Sequence, residues 1–291
     1  MGIGSSAAVA LAILALLPGV DPPHDGSAAV RALGPGRVRF TVVYDNVGSA
    51  PGTVGDWGFS CLVEREGRRI LFDTGRDPAI LMANLRTLGI APDSLDAVVI
   101  SHPHADHSGG LAALVAEVPE LRVYLPFASD TVDAHGGSSG GFVRIEQATK
   151  VAPGMVVTRP LPAGADLAEM AMVVTTQQGL AVITGCAHPG IVDMVAEARR
   201  AAGERGLDAR EISLVMGGFH LRGLTADQLG SVVRDLHKLG VQRVAPSHCT
   251  GEAAVSVLAS AFGPRLLKSG LGSIVTIGAP PTTAARAISG R

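Results

Sequence analysis

Residues 101–110 read SHPHADHSGG, and they directly follow the short apolar run LDAVVI at 95–100. The run is β-branched and flanked by polar residues, which predicts a buried strand over 96–101. The Ser-, Pro- and Gly-rich segment after it is typical of a loop that leads into a helix near Gly109. Its potential metal ligands are His102, His104, Asp106 and His107. Imidazole and carboxylate suit a borderline divalent metal such as zinc, so this loop predicts a metalloenzyme.

The hydrophobic pattern on either side of this loop predicts alternating strands and helices after residue 36. The predicted strands are 38–44, 58–64, 69–72, 121–125, 154–159, 170–176, 180–184, 212–216, 242–246 and 273–277. The predicted helices are 77–89, 109–117, 190–202, 225–238 and one from 251. Antiparallel hairpins come early in each half, and strands alternating with helices follow. This α/β order favours two sheets packed face to face with helices on the outside.

Composition limits the class of protein. With 47% hydrophobic and 17% charged residues, the chain has enough apolar material for a core and too little charge for disorder. No long linker or charge block divides it, so we expect a single domain over 37–291. A net charge of −2 and an aromatic content of 3% argue against a nucleic-acid-binding surface. The three cysteines form no C-x-x-C pair, so we expect small buried side chains and no disulfide framework.

The first 36 residues form a separate leader. The stretch AAVALAILALLPGV at 7–20 is too short to span a bilayer comfortably, and it resembles the apolar part of an export signal. Residues 1–6 contain no Lys or Arg, and no clean cleavage site follows, so a disordered leader is the alternative. We therefore predict an exported protein, periplasmic or secreted, or a cytoplasmic one if the leader is no signal. No stable membrane span is expected.

Three histidines of the second half, His188, His220 and His248, each follow a predicted strand in a glycine-containing loop. Side chains in such loops share one rim of an α/β sheet, so we expect them beside the ligands at 102–107. The Gly/Ser-rich segment 128–150 is predicted to be irregular, either a loop over the site or a surface insertion. His135 within it is expected to be exposed.

Five segments together resemble the metallo-β-lactamase superfamily. They are LFDTG at 71–75, SHPHADHSGG at 101–110, ITGCAHPGI at 183–191, MGGFHL at 216–221 and PSHCTG at 246–251. More narrowly, residues 37–280 resemble the branch of dihydropterin ribofuranosyl-aminobenzene phosphate synthase-like metallohydrolases. The resemblance implies a four-layer αβ/βα sandwich, with a one- or two-metal site at the edge of the two sheets.

The resemblance also implies a ligand set for two divalent ions, zinc first, with iron or manganese as alternatives. The implied ligands are His102 and His104 for one ion and Asp106 and His107 for the other, with His188 and His248 completing the two sets. Asp73 is implied to lie behind them and orient a ligand. Cys186 stands where many members have a bridging aspartate, so it stays open which ion His188 binds and whether both ions bind equally well.

The implied chemistry is hydrolysis of an ester, lactone or phosphoester, because such ions lower the pKa of a bound water from 15.7 to about 7. Asp106 would orient the attacking hydroxide. His220 would contact the substrate or act as an acid, with metal ligation as its alternative role. Two other functions stay open: a pterin-related synthase and a non-catalytic metal-bearing binding domain. A small-molecule substrate is expected, and the sequence does not indicate the oligomeric state.

Overall fold

The computed structural model describes Leu33 and residues 36–127 and 141–278. The predicted leader apart from Leu33 and Gly36, His135, and the part of the Gly/Ser-rich segment at 128–140 lie outside the described residues. The described residues belong to one compact unit. The domain bounds at 37 and 291 stay a prediction.

Two β-sheets form the centre of the described chain. The strands of the first sheet are β1 (Val38–Asp45), β2 (Phe59–Arg65), β3 (Arg68–Phe72), β4 (Ala97–Val99), β5 (Arg122–Pro126), β6 (Phe142–Ile145) and β15 (Ile274–Ile277). The strands of the second are β7 (Thr149–Ala152), β8 (Met155–Val157), β11 (Met172–Thr176), β12 (Gly179–Thr184), β13 (Ile212–Gly218) and β14 (Val244–Ser247). A short ribbon joins β9 (Leu161–Pro162) to β10 (Ala168–Glu169).

The strand order is β15-β1-β2-β3-β4-β5-β6 in the first sheet and β14-β13-β12-β11-β8-β7 in the second. Strands β3 to β6 pair in parallel, as do β12, β13 and β14, and the other pairs in the two sheets are antiparallel. Parallel strands bring their carboxyl ends to one edge of a sheet. The loops that carry the predicted ligands therefore leave each sheet at a single edge.

Helices cover the outer face of each sheet. They are α1 (Pro78–Thr87), α2 (Ala105–Ser108), α3 (Leu111–Glu117), α4 (Ile191–Glu204), α5 (Ala226–Lys238) and α6 (Glu252–Phe262), with single 3₁₀ turns at Pro92–Ser94 and Gly263–Arg265. The ends of the longer helices follow from local chemistry. Asp77 caps α1 by accepting from the backbone N–H groups of Ala79 and Ile80. Thr225 and Gln228 form a capping box at the start of α5.

Three buried clusters make the four layers. The cluster between the sheets contains Phe40 and Phe72 from one sheet and Met172 and Met216 from the other. The second cluster packs α1 and α3 onto the first sheet. The third packs α4, α5 and α6 onto the second sheet. The predicted four-layer αβ/βα sandwich is confirmed.

Two local predictions need correction, and one element was missed. The segment around the histidine motif is not all loop, because α2 begins at Ala105, directly after His104. The segment 128–150 is not irregular throughout, because β6 and the first residues of β7 lie within it. The ribbon β9–β10 was not predicted, since its strands of two residues each carry no readable period. Among the described residues, no helix is long and apolar enough to cross a bilayer.

Candidate metal centre

The predicted ligands meet where loops from both sheets converge. His102 follows β4, and Asp106 and His107 lie on the single turn of α2. His188 follows β12, and His248 follows β14. His102 and His107 are fully buried, His248 is nearly so, and His188 is half-buried. Residues distant in sequence thus share one small volume at the edge of the sandwich.

Three imidazoles form one half of this cluster. The ring centroids of His102 and His104 are 4.8 Å apart, and those of His102 and His188 are 4.7 Å apart. The centroids of His104 and His188 are 4.9 Å apart. The three rings are mutually edge-to-face, and the potential ligand atoms of His102 and His188 lie within 4.8 Å of each other, a group that does not include His104. His104 is the exposed member of the group, so this half faces solvent.

Asp106, His107 and His248 form the other half. The Asp106 Oδ2 atom lies 3.4 Å from His248 Nε2 and 3.7 Å from His107 Nε2. The ring centroids of His107 and His248 are 5.0 Å apart. One carboxylate and two imidazoles therefore converge on a second point next to the first.

Cys186 lies between the two halves. Its Sγ atom is 3.2 Å from His107 Nε2. The potential ligand atoms of Cys186, Asp106, His107 and His248 all lie within 4.8 Å of one another, and so do those of Cys186, His102 and His188. The thiol is therefore within reach of both groups of potential ligands.

The Nδ1 atoms of the buried rings are held by acceptors behind the cluster. His107 Nδ1 is 2.7 Å from the carboxylate of Asp73, and His102 Nδ1 is 2.9 Å from Ser101 Oγ. Ser101 in turn donates from its backbone N–H and its hydroxyl to Asp73, at 2.7 and 2.8 Å. Asp73 is fully buried, so this one carboxylate fixes the orientation of two rings.

Two further acceptors hold the remaining rings. His188 Nδ1 lies 2.9 Å from Glu169 Oε2, and His248 Nδ1 lies 2.7 Å from Asn46 Oδ1. Glu169, on β10, is fully buried and also accepts from the backbone N–H groups of Cys186, Ala187 and His188. A carboxylate from the short ribbon therefore shapes the whole loop after β12.

The outward nitrogens of the cluster have the chemistry that a metal requires. His102 Nε2 and His248 Nε2 are buried, and neither has a hydrogen-bond partner. A buried polar atom without a partner is costly, while an imidazole held through Nδ1 and open at Nε2 is the usual state of a metal ligand. The residues present therefore fit divalent ions in both halves.

The electrostatics of the cluster keep its ligands in metal-binding forms. Burial, and then the nearby His248, lower the pKa of His107 to about 3. Burial also lowers the pKa of His102 well below its usual range. Burial opposes ionisation of Asp106, but the contacts with His248 and His107 outweigh it and lower its pKa below the ordinary value. Neutral imidazole and ionised carboxylate are the protonation states that bind metal.

Backbone strain is concentrated at the same place. Among the described residues, five that are not glycine have positive φ. Four of them line the centre: Asp73 (59°), Ala187 (61°), His220 (50°) and His248 (49°). Such conformations cost of order 1–3 kcal/mol each and persist where the surrounding structure imposes them. The strands end in strained turns that aim these loops at the centre.

His220, which follows β13, lies at the edge of the centre. Its ring centroid is 4.6 Å from that of His188, and its side chain is exposed. On the other side, the ring of Trp57 lies 4.8 Å from that of His248. The guanidinium of Arg222 stands 5.3 Å from the Trp57 ring. An aromatic surface and a cation therefore border the opening of the centre.

The structure brings together all the residues singled out from the sequence: Asp73, His102, His104, Asp106, His107, His188, His220 and His248. Sequence reasoning missed Glu169, Ser101 and Asn46. Ser101 directly precedes the histidine motif, so its role as a hydrogen-bond partner of His102 could have been predicted from the sequence. Glu169 and Asn46 carried no such signal, because neither adjoins a motif and each reaches its histidine only through the tertiary fold.

Comparison with known proteins agrees with this geometry. The model of the metallo-β-lactamase superfamily matches residues 58–126, which include Asp73 and the histidine motif. The chain is 26% identical to the 7,8-dihydropterin-6-methyl-4-(β-D-ribofuranosyl)-aminobenzene-5′-phosphate synthase of Methanocaldococcus jannaschii, over 77% of this chain and 90% of that protein.

Solved structures agree as well. A metal-dependent hydrolase of the β-lactamase superfamily is 28% identical, with a TM-score of 0.69, over 83% of this chain and 100% of that one. The metallo-β-lactamase fold protein YhfI from Bacillus subtilis shares the fold at 15% identity and a TM-score of 0.60, over 82% of this chain and 99% of that one. The chain therefore resembles the metallo-β-lactamase superfamily, both in the matched segment 58–126 and in its fold. Within it, the chain resembles the dihydropterin-related synthase branch.

Proposed function

We propose that this chain is a metal-dependent hydrolase with a binuclear centre. Zinc is the proposed metal, with iron or manganese as alternatives. His102, His104 and His188 would hold one ion, and Asp106, His107 and His248 the other. The observation that carries the proposal is the pair of buried, unpartnered Nε2 atoms of His102 and His248. Each belongs to a ring whose Nδ1 is already held.

When bound, two such ions activate a water and stabilise the charge on a leaving oxygen. The chain's own residues set the geometry of that step. Asp106 has one carboxylate oxygen close to both His107 and His248, and its side chain is still 19% exposed. We therefore expect it to orient the attacking water and to bind an ion as well. Asp73 orients the rings of His107 and, through Ser101, His102, and Glu169 orients the ring of His188. Neither carboxylate takes part in the bond changes.

His220 has two roles open to it in this scheme. Its exposed ring beside His188 is suited to contact a leaving group or a developing oxyanion. Its proximity to two thiols also suits it to metal ligation. The two roles are separable by experiment, and the second is developed in the next subsection.

The proposed substrate is a small ester, lactone or phosphoester. A cavity of about 720 Å³ borders the centre, and its lining includes His248, Asn46, Arg222 and Lys268. That volume is in the range of small-molecule sites. The two cations suit a substrate with an anionic group.

Metal content is the first test. Purified protein should contain about two divalent ions per chain by mass spectrometry, and His188→Ala should lose one of them. His237→Ala is the matched control, because His237 is exposed on α5 away from the centre. A wild-type protein that retains no metal even after reconstitution would leave a non-catalytic binding domain as the better description.

Catalysis is tested with Asp106→Asn, which keeps the volume and removes the charge. Hydrolysis of a panel of esters, lactones and phosphoesters should fall by orders of magnitude, while the fold persists. Asp208→Asn is the control, because Asp208 pairs with Arg210 on the exposed surface. An Asp106→Asn protein with full metal content and full activity would contradict the assigned role.

A pterin-related synthase is the second candidate. It is supported by the 26% identity to the Methanocaldococcus jannaschii synthase over 90% of that protein. The test is incubation of the metal-loaded protein with the pterin and aminobenzene substrates, followed by product detection. Condensation by wild-type protein, abolished in Asp106→Asn, would place the synthase ahead of the hydrolase.

The leader and the domain bounds belong to the same proposal. Residues 1–36 are proposed to direct export and to be dispensable for the centre. Protein that begins at Arg37 should therefore bind the same number of ions as the full chain. N-terminal sequencing of protein made in cells would reveal whether a leader has been removed.

A further inference from the structure

A sulfur-containing ligand group adjoins the two halves of the centre. The potential ligand atoms of Cys186, His220 and Cys249 all lie within 4.8 Å of one another. Both thiols are buried, with 4% and 5% of their surface exposed, whereas His220 is open to solvent. The proposed hydrolytic centre uses neither Cys249 nor the proximity of its sulfur to that of Cys186.

The fold brings these three residues together from three neighbouring strands. Cys186 follows β12, His220 follows β13 and Cys249 follows β14, and the three strands are parallel neighbours. The Cys249 thiol contacts the backbone carbonyl of Cys186 at 3.6 Å. Gly218 permits this contact, because a Cβ there would lie 2.7 Å from Cys249 Sγ and 3.2 Å from Cys186 Cα.

The group is close to the size of a tetrahedral site. Zinc binds thiolate sulfur at about 2.3 Å and imidazole nitrogen at about 2.0–2.1 Å, which puts neighbouring ligand atoms about 3.3–3.8 Å apart. A group within 4.8 Å therefore has to contract by about 1 Å to 1.5 Å at most. The exposed ring of His220 can supply most of that movement, since a side chain at the surface rotates at little cost.

We propose that Cys186, His220 and Cys249 form a binding position for one thiophilic divalent ion of the zinc and cadmium type. Two sulfurs and one imidazole select such ions over manganese, which prefers oxygen-rich sites. This position has two sulfur donors and one imidazole, whereas the two halves of the centre are dominated by imidazole and carboxylate. Of its three residues, only Cys186 also lies within reach of those halves. An ion held there would draw Cys186 out of those halves. His220 would then be a ligand, and its role as an acid would be lost.

Cadmium is the probe, because thiolate-to-cadmium charge transfer gives an ultraviolet absorption that neither the free ion nor the thiol has. Metal-free wild-type protein titrated with cadmium should develop this absorption. In Cys249→Ala the absorption should fall by about half or more. Cadmium should bind at least about tenfold more weakly, because loss of a residue that only orients a metal ligand already lowers affinity by about that factor. Cys61→Ala is the matched control, because Cys61 is a buried thiol on β2 outside the group.

His220→Ala gives a second variant, on an exposed side chain outside the buried core. It should keep the thiolate absorption and lose about tenfold in cadmium affinity. Equal absorption in wild type and Cys249→Ala would mean that Cys186 alone binds the ion. Bound cadmium without any thiolate absorption would mean that neither sulfur binds it. Either result overturns the proposal.

A parallel titration with manganese separates this inference from the proposed function. Manganese reports on the imidazole and carboxylate donors of the two halves. Its binding should be unchanged in Cys249→Ala. Manganese binding without a cadmium–thiolate signal would leave the hydrolase standing and remove the sulfur position. The reverse pattern would support the sulfur position and count against the binuclear hydrolase.

Discussion

Glu169→Gln tests how a residue outside every motif shapes the centre. The carboxylate of Glu169 is fully buried and accepts four hydrogen bonds. Oε1 accepts from the N–H groups of Cys186 and Ala187, and Oε2 accepts from the backbone and ring of His188. Burial opposes ionisation, but the nearby His102 and these hydrogen bonds lower the pKa of Glu169 below its usual value, so the acceptor is charged.

The amide of glutamine can replace only one of the two oxygens. With its NH₂ group at the Oε1 position it faces two backbone N–H donors and loses two bonds; at the Oε2 position it faces the backbone N–H of His188 and a ring nitrogen that can turn acceptor, and it loses one. Hydrogen bonds to charged groups contribute about 1.5–3 kcal/mol each, so the free energy of unfolding should fall by about 1.5–6 kcal/mol. With a denaturant slope near 3 kcal/mol/M, the urea midpoint should fall by about 0.5–2 M.

The same substitution should weaken metal binding. His188 loses the acceptor that orients its ring, and Ala187 loses a bond that holds its strained backbone. Loss of such an orienting partner typically costs about 10–100-fold in metal affinity. The assays are urea unfolding of metal-free protein and a competitive zinc titration.

Glu204→Gln is the matched control, because Glu204 pairs with Arg200 on the exposed surface of α4, away from the centre. An exposed pair of this kind contributes about 0–1 kcal/mol, so its urea midpoint should hardly move. The reasoning fails if Glu169→Gln unfolds at the wild-type urea concentration and retains wild-type zinc affinity.

Three further predictions concern the supports of the centre. Asp73→Asn should lower metal affinity about 10–100-fold, because it disturbs the acceptor behind His107; unchanged affinity by calorimetry would refute this. Gly185→Ala should cost about 1–3 kcal/mol of stability, because its Cβ would lie 2.1 Å from Ser101 Oγ. In Gly203→Ala on α4 the new Cβ would meet nothing within 4 Å, so this control should stabilise the protein by about 0.5–1 kcal/mol. Equal melting temperatures of the two variants would contradict both expectations. Because the folded pKa of His107 is about 3, its contribution to stability is fully present above the unfolded pKa near 6.5 and is lost as pH falls toward 3. Metal-free protein should therefore lose about 1.4 kcal/mol through this group between pH 7.5 and 5.5, a loss that His107→Gln should abolish in urea unfolding.

Much of the fold was readable because hydrophobic period is a local property. The strand VRFTVVY and the helix after Asp77 were predicted within a few residues of their observed bounds. Single-turn and two-residue elements were missed, since neither α2 nor β9 is long enough to show a period. The strands β6 and β7 were missed because a Gly/Ser-rich stretch precedes them and hides their short apolar pattern.

The sequence by itself determined which chemical groups the centre has. Three histidines and an aspartate within 102–107, and a histidine past each later strand, specify imidazole and carboxylate donors whatever the packing. What only the tertiary structure decided is how those groups are divided and held. Hydrogen bonds from His188 to Glu169 and from His248 to Asn46 join residues 19 and 202 positions apart. The contact of His248 with Asn46 depends on how the two sheets pack, and that of His188 with Glu169 depends on where the ribbon β9–β10 lies, because no local pattern in the chain encodes either distance.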